Sequence, residues 1–290
     1  MKSFLEIPIR LLTHNIRYAT TSPFRGEELW AVRAPKILSE LRYATLYNPA
    51  SFICLQEVLN SQLVDVMGGL NSDQQPDEWA YIGVGREDGK MAGEYSPILY
   101  RPAIWKLEHF ATVWLSETPD KPSKGWDAAS TRIVTIGVFQ HRQKGVRVLA
   151  MNTHMDDQGK KARLEGAKLI VEQIHAYTGF YEAQGMGPLP VFLAGDLNSQ
   201  PQEEAYGVLN APESPVYDLR DAVPLLRRYG HHNTFTGFGY EGEPVKRIDF
   251  LFIGKTSWNI SGYSVLESRF DDGVYNSDHR AVTGDVSLTV

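Results

Sequence analysis

Short apolar runs of strand length recur along all 290 residues and mix with amphipathic helical segments in no regular order. The continuous apolar run 189–194 predicts a buried strand. Apolar residues spaced for one helix face predict helices over 27–41 and 160–177. This irregular mixture is typical of a single α/β domain, which we expect to span residues 1–290. Two mostly antiparallel β-sheets packed face to face, with helices outside, would account for it, so we predict a four-layer αββα sandwich.

Charge and composition disfavour several classes of protein. The formal net charge is −6 and the pI is ≈ 5.8, which argues against a broad basic surface for long duplex nucleic acid but leaves room for a local basic groove. The single cysteine, Cys54, lies in an apolar run and predicts a buried thiol. No apolar segment approaches the ~20 residues of a membrane helix, and we see no signal peptide. We therefore expect an intracellular, cytoplasmic protein with no membrane segment and no obligate protein partner.

Several predicted strands end in the same way, because the apolar run stops and an unusual polar residue follows. Each case alone has a structural interpretation, such as a turn cap for Asp196 or a hydrogen-bonded core histidine for His154. Independent coincidences at so many strand ends are improbable, so we interpret these residues as one shared site. The set consists of Asn15, Glu57, His154, Asp196, Asn198, Asp249, Asp278 and His279.

The side chains in this set suit chemistry on a phosphate ester. Asn15, Glu57 and Asp278 offer hard oxygen ligands, which favour Mg²⁺ or Mn²⁺. No cluster of cysteine and histidine has the spacing of a zinc site. The remaining side chains supply a base, a carboxamide and two imidazoles, which can activate a water and stabilise a pentacoordinate phosphorus. A Ser/His/Asp triad is disfavoured because no G-x-S-x-G sequence occurs, and a P-loop and a complete G-x-G-x-x-G are also missing from the sequence.

The motifs occur along the chain in the order Asn15, Gln56-Glu57-Val58, Asn152-Thr153-His154, Gly195-Asp196-Leu197-Asn198, Arg247-Ile248-Asp249 and Ser277-Asp278-His279. This order resembles the endonuclease/exonuclease/phosphatase superfamily, which includes DNase I-like nucleases, exonuclease III-like repair enzymes, deadenylases, inositol polyphosphate 5-phosphatases and neutral sphingomyelinases. The resemblance covers residues 9–288. Segments 85–98 and 114–127 look like those of a largely uncharacterised subgroup of hydrolases and nucleases. We expect both segments to form loops around the site that shape substrate choice.

The resemblance implies a role for each motif residue. Glu57, with Asn15 and Asp278 nearby, would hold the divalent metal. Asp196 would orient or deprotonate the attacking water, with help from Asn198.

The two histidines would contact the phosphate group. His279, supported by Asp249, would contact the scissile phosphate and stabilise the transition state, whereas His154 would contact a non-bridging oxygen. The repair nucleases of the superfamily have a tyrosine at the position of His154. This histidine therefore resembles the phosphatase, sphingomyelinase and deadenylase branches and argues against an abasic-site repair endonuclease.

Further residues are candidates for binding the substrate. Arg132 begins a predicted strand and could pair with a phosphate, or could be a strand-edge cation. Asn233 precedes Thr-Phe, where the superfamily often has a polar residue, but a turn residue explains it equally well. Trp126 and Tyr95 could stack on a base, or could belong to the core and the rim of the site.

The leading functional hypothesis is a metal-dependent phosphoesterase that cleaves a P–O bond by in-line attack of an activated water. We rank a nuclease or phosphodiesterase acting on nucleic-acid ends, single strands or nucleotides first, because rim aromatics and a few arginines suit such substrates. A sugar-, inositol- or lipid-phosphate phosphoesterase ranks second, favoured by the acidic charge and by His154. A catalytically silent binding domain ranks last, because every expected position carries a chemically competent residue.

Overall fold

The structure, a computed structural model, describes residues 6–72 and 77–289. Its strands are β1 (Glu6–Asn15), β2 (Phe52–Gln56), β3 (Ala80–Ile82), β4 (Ile98–Tyr100), β5 (Trp105–Trp114), β6 (Ile133–His141), β7 (Arg147–His154), β8 (Val191–Asp196), β9 (Val216–Asp218), β10 (Arg228–Gly230), β11 (Asp249–Gly254), β12 (Trp258–Val265) and β13 (Val282–Thr289). Its α-helices are α1 (Trp30–Thr45), α2 (Asn60–Asn71), α3 (Lys160–Ala183), α4 (Glu204–Leu209) and α5 (Leu219–Ala222).

The strands form two sheets of seven and six strands. The first has the order β10-β12-β13-β1-β2-β4-β3 and the second the order β5-β6-β7-β8-β11-β9. Most neighbours are antiparallel, but β1 with β2, β7 with β8 and β10 with β12 are parallel. The predicted pair of mostly antiparallel sheets is therefore confirmed.

Alternating side chains of the central strands fill two different apolar layers. In β8, Phe192 and Ala194 belong to the core between the two sheets, whereas Val191 and Leu193 belong to the core under α3 and α4. A third apolar layer lies between the first sheet and the helices α1 and α2. Because central strands are covered on both faces, they are continuously apolar in sequence. The predicted four-layer αββα sandwich is confirmed.

Short elements explain most differences from the predicted secondary structure. The strands β9 and β10 and the helix α5 were not predicted, since three or four residues are too few to show a period. Helix α1 begins at Trp30 rather than at residue 27, because Glu27 is buried ahead of it and accepts a hydrogen bond from the Phe24 amide. Cys54 is buried, as predicted, and burial raises the pKa of its thiol.

Strand register brings the polar strand ends to one edge of the sandwich. Asn15 at the end of β1 is paired with Gln56, the residue before Glu57. In the other sheet, Asp196 is paired both with His154 on β7 and with Asp249 on β11. Among the described helices, none combines the length and the apolar character needed to cross a membrane.

Candidate active site

A cavity of about 550 Å³ opens at the edge where the polar strand ends meet. Most residues that the motifs single out line it, and Asn15 and Asp249 are buried beside them. The lining residues predicted from the sequence are Glu57, Arg132, His154, Asp196, Asn198, Asp278 and His279.

Gly195 is required where β8 runs closest to β7. A Cβ atom at this position would lie 2.2 Å from the Thr153 carbonyl oxygen, and the φ angle of +154° also disfavours a side chain. After Asp196 the chain turns, and Asn198 adopts a left-handed φ of 46° with its amide donating to Asp196 Oδ1 at 2.9 Å. Both side chains consequently face the same cavity.

The Asp196 carboxylate lies between two imidazole rings. Its Oδ2 is 3.6 Å from His154 Nε2 and 3.7 Å from His279 Nε2, and it accepts a hydrogen bond from Asn15 Nδ2 at 3.0 Å. Burial raises the pKa of Asp196, and the charge of Asp249 raises it further, against the opposing influence of both histidines. A carboxylate whose proton affinity is raised in this way suits a general base.

Asp249 holds the other side of the His279 ring. His279 Nδ1 lies 2.8 Å from Asp249 Oδ2, and the Asp249 backbone amide donates to Thr234 Oγ1 at 3.0 Å. Burial lowers the pKa of His279, but the charges of Asp249 and Asp196 outweigh burial and raise the pKa to about 10. The ring is therefore an imidazolium at neutral pH.

Glu57 directly follows β2 in a left-handed conformation with φ 59°, a backbone strain that often marks functional positions. Its carboxylate accepts hydrogen bonds from Asn15 Nδ2 at 3.0 Å and from the Tyr18 amide at 3.1 Å. Burial raises the pKa of Glu57, but the positive charges of His154 and Arg17 dominate and lower it to about 2. Glu57 is consequently ionised and faces the cavity.

Two neighbours set the orientation of His154. Asn198 Nδ2 donates both to the Met155 carbonyl at 3.0 Å and to His154 Nε2 at 3.1 Å. When His154 is neutral its proton is therefore on Nδ1, which lies 3.6 Å from Glu94 Oε2. Arg86 holds Glu94 through two hydrogen bonds of 2.7 and 3.0 Å.

The fold has close counterparts among solved structures, although no family model matches the sequence. An endonuclease/exonuclease/phosphatase of Bacteroides vulgatus superposes with a TM-score of 0.82 at 30% identity, covering 97% of this chain and 99% of that one. The mannosyl-6-phosphatase of Bacteroides thetaiotaomicron has a TM-score of 0.79 at 31% identity, with 96% and 99% covered. The chain belongs to the endonuclease/exonuclease/phosphatase family.

This membership confirms the resemblance drawn from the motifs, and the chain is a phosphoric ester hydrolase of the nuclease/phosphatase type. A more distant relative is a "Probable RNA exonuclease" of Schizosaccharomyces pombe, 24% identical over 239 residues, or 78% of this chain. The chain spans less than half of that relative, since it covers 43% of its length.

Two different groups of side chains at the site could hold a metal ion. Ligand atoms of Asp196, Asp249 and His279 lie within 4.8 Å of one another, so this group could bind a metal. Glu57 and Asp278 both line the cavity with oxygen donors only. Burial raises the pKa of Asp278, and the charge of Glu57 raises it further. A divalent cation would reduce the repulsion between these two carboxyl groups. The donors of the second pair are oxygens only, the ligands that hard divalent cations prefer.

Asn15 is buried beside the cavity, and its predicted role as a metal ligand stays a prediction. Its Oδ1 accepts from the Arg17 amide at 3.0 Å, while its Nδ2 donates to Glu57 and to Asp196. Two ionisable carboxyl groups side by side need a donor between them, and the amide nitrogen supplies it. Asn15 thus connects the carboxylates of Glu57 and Asp196.

Only one predicted substrate-binding residue lines the cavity. Arg132 does so with an Nη1 that is buried and has no partner within the described residues, whereas its Nε and Nη2 pair with Asp156 and Asp157. The lining that the described residues form includes neither Trp126 nor Asn233. The carbonyl of Asn233 accepts a hydrogen bond from Arg280, which accounts for it as a turn residue.

The prediction that Tyr95 stacks on a base is wrong. Tyr95 is 3% exposed and packs in the apolar layer between the first sheet and α1 and α2. Its hydroxyl hydrogen-bonds with Asn60 Oδ1 and with the Lys90 carbonyl. The β-bridge between Tyr95 and Val58 turns the ring inward, and no local pattern in the sequence indicates this bridge.

Sequence reasoning missed several lining residues. Arg86 and Glu94 belong to the segment 85–98, which does form a loop at the site, whereas none of the residues 114–127 lines the cavity. Arg17 and Tyr18 lie two and three residues after Asn15, so their position close to a strand end was a usable signal. The remaining missed residues come from loops without such a signal, and they include Phe24, Phe235, Glu243 and Lys246.

Asp156 anchors the loop before β6, and we expect Asp156→Ala to lower the free energy of unfolding by about 3 kcal/mol. Its buried carboxylate accepts the amides of Ala129, Ser130 and Gly159 at 2.8–3.0 Å and pairs with Arg132. Burial raises the pKa of Asp156, but these hydrogen bonds outweigh burial and hold it low. Urea unfolding measures the change.

The matched control for Asp156 is Asp157→Ala. Asp157 pairs with the same arginine but is 47% exposed, so its loss should cost less than about 1 kcal/mol. Equal costs for the two variants would show that the buried hydrogen bonds of Asp156 do not stabilise the loop.

Proposed function

We propose that the chain hydrolyses phosphate esters of small hydroxyl-bearing molecules, sugar phosphates foremost, by attack of an activated water. The observation that carries the proposal is the Asp196 carboxylate held between the imidazoles of His154 and His279 in the cavity of about 550 Å³. A cavity of this size is typical of small-molecule sites. The identity of 31% with the Bacteroides thetaiotaomicron mannosyl-6-phosphatase, over 96% of this chain, supports the same substrate class.

In the proposed mechanism Asp196 orients the water and accepts its proton. Asn15 and the Asn198 amide hold the Asp196 carboxylate in place. The His279 imidazolium, held by Asp249, donates to the phosphoryl oxygens as they gain charge. Arg132 Nη1 and His154 Nδ1, which have no hydrogen-bond partner within the described residues, would bind non-bridging oxygens.

We assign the divalent ion to Glu57 and Asp278, whose oxygens suit Mg²⁺ or Mn²⁺. When bound, the ion neutralises charge on the phosphate and polarises the scissile P–O bond. Asn15 and the Tyr18 amide hold the Glu57 carboxylate by hydrogen bonds, so it presents a fixed orientation.

A nuclease or nucleotide phosphodiesterase is the second candidate, supported by the relative named as an RNA exonuclease. We rank it second because the cavity arginines are already neutralised: Arg86 by Glu94, and Arg132 by Asp156 and Asp157. Binding of a nucleic-acid strand draws most of its affinity from free cations that contact successive phosphates. The acidic net charge of −6 argues in the same direction.

A substrate panel tests the proposal. It contains mannose 6-phosphate, glucose 6-phosphate, an inositol phosphate, nucleoside 5′-monophosphates, single-stranded RNA and DNA, and sphingomyelin, each with Mg²⁺, with Mn²⁺ or with EDTA. We expect phosphate release from the sugar phosphates, lost in EDTA. Cleavage of RNA or DNA without hydrolysis of any sugar phosphate would establish the second candidate instead.

The metal assignment is tested by Glu57→Gln, which we expect to raise the Mg²⁺ or Mn²⁺ concentration for half-maximal activity by at least about tenfold. The substitution removes the charge while keeping the side-chain size. Glu108→Gln is the control, since Glu108 lies on β5 and pairs with Arg147 outside the cavity. An unchanged metal requirement in Glu57→Gln would rule out this ligand.

A further inference from the structure

Two loops outside the sequence motifs, residues 24–26 and 235–246, contact each other. Together they form one wall of the cavity. The Phe24 ring meets the Tyr240 ring edge-on, with centroids 5.7 Å apart, and Arg25 Nη1 donates to the Tyr240 hydroxyl at 3.0 Å. Gly26 packs so closely that a Cβ atom there would lie 2.8 Å from the Phe238 carbonyl oxygen. These contacts give the wall a defined shape although it consists of loops.

The wall stands directly beside His279. Phe235 forms β-bridges with both His279 and Lys246, and its ring lies edge-on to the imidazole with centroids 5.0 Å apart. Lys246 Nζ lies over the Phe235 ring, 5.5 Å from its centroid. A group bound at Phe235 and Lys246 would therefore be next to a phosphate held by His279.

The wall carries two charged groups that have no hydrogen-bonding or ion-pairing partner within the described residues. Glu243 and Lys246 line the cavity, and within the described residues neither side chain's charged atoms make a hydrogen bond or an ion pair. The arginines of the cavity differ, because Arg86 and Arg132 are paired with carboxylates. Unpaired charged groups beside exposed aromatic rings are typical of a site that a ligand completes.

We propose that Phe24, Phe235, Glu243 and Lys246 form the subsite for the alcohol part of the ester, and that it takes a neutral, hydroxyl-rich ring such as a pyranose. Hydroxyl groups donate to the Glu243 carboxylate and accept from the Lys246 ammonium, and the C–H face of the ring packs on the aromatic side chains. This inference rests on the proposed function and adds the residues that select the sugar.

The charge balance of the subsite favours a sugar over a nucleic-acid strand. Glu243 and Lys246 sum to no net charge, which matches a neutral polyol. A second phosphate of a strand would lie near the Glu243 carboxylate, and this repulsion discriminates against it. A nucleoside would also use the aromatic rings, so the experiment compares the sugar phosphate with adenosine 5′-monophosphate.

The experiment measures selectivity as the ratio of kcat/KM for mannose 6-phosphate to kcat/KM for p-nitrophenyl phosphate, which has no sugar. We expect Glu243→Ala and Lys246→Met each to lower this ratio by about tenfold, chiefly through KM for the sugar phosphate. Lys144→Met is the matched control, because Lys144 is exposed on the loop between β6 and β7, and it should leave the ratio unchanged.

The outcomes separate this inference from the function on which it rests. An unchanged ratio in both variants, with the wild-type chain active on both esters, would overturn the subsite and leave the phosphoesterase proposal standing. A wild-type chain that hydrolyses neither ester nor any other sugar phosphate would overturn both proposals. A larger loss on adenosine 5′-monophosphate than on mannose 6-phosphate would replace the sugar with a nucleoside.

Discussion

Replacing Asp196 with asparagine is expected to lower kcat by about 10²- to 10⁴-fold, the usual contribution of a general base. The substitution keeps the size and shape of the side chain but removes the group that accepts the proton of the attacking water. It also removes the charge between His154 and His279, whose Nε2 atoms lie 3.6 and 3.7 Å from Asp196 Oδ2. Phosphate release from the best substrate of the panel, at saturating metal and substrate, measures the loss.

Folding must be separated from chemistry in this variant. Asparagine has a single acceptor oxygen, so it keeps the hydrogen bond from the Asn198 amide or the one from Asn15 but not both. We expect the Asp196→Asn protein to lose some stability but to stay folded by circular dichroism. Asp272→Asn is the control, since Asp272 pairs with Lys36 and does not line the cavity, and it should keep the wild-type kcat. A folded Asp196→Asn protein with wild-type kcat would remove Asp196 from the mechanism.

Replacing His279 with glutamine is expected to lower kcat by about 10²- to 10³-fold, the usual cost of losing one donor to the developing negative charge. Glutamine can still hydrogen-bond, but it carries no positive charge. The variant also leaves the buried carboxylates of Asp196 and Asp249 without the cation between them. His231→Gln is the matched control, because His231 is exposed and pairs with Glu267, and its kcat should not change.

The same variant has a pH signature that a purely steric defect would lack. The folded protein raises the pKa of His279 from 6.5 to about 10, so the stabilisation from its charge is complete below pH 6.5 and is lost as the pH rises to about 10. In metal-free protein, the stability difference between wild type and His279→Gln should shrink over this range. A difference that stays constant between pH 6.5 and 10 would contradict the assignment of a buried imidazolium.

Sequence analysis succeeded where a local pattern carries the information. The apolar runs before Asp196 and Glu57 identify buried strands, because side chains in a central strand are covered on both faces. The polar residue at the end of each run then marks the edge of the sheet. The structure brings Glu57, His154, Asp196 and His279 to one cavity, as this pattern predicts.

Sequence analysis failed where the contact partner lies far away along the chain. Tyr95 lies in a segment predicted to form a loop at the site, which suggests an aromatic side chain at the cavity rim. A β-bridge to Val58 instead directs its ring into the core. The hydrogen bonds of Asn15 show the same dependence, since its Nδ2 donates to Glu57 and Asp196, which lie far away along the chain. The local sequence around Tyr95 or Asn15 does not indicate these distant contacts.

The sequence by itself determined the layers of the sandwich and the residues of the reaction centre, since both follow from short-range periodicity and from the order of the motifs. The tertiary structure alone decided which atoms face one another: the register that pairs Asp196 with Asp249, and the loops that bring Phe24 and Lys246 to the same cavity. The physical reason is that the spacing of apolar residues along the sequence predicts which side chains are buried. Hydrogen bonds and charge pairs, by contrast, depend on how distant segments pack together.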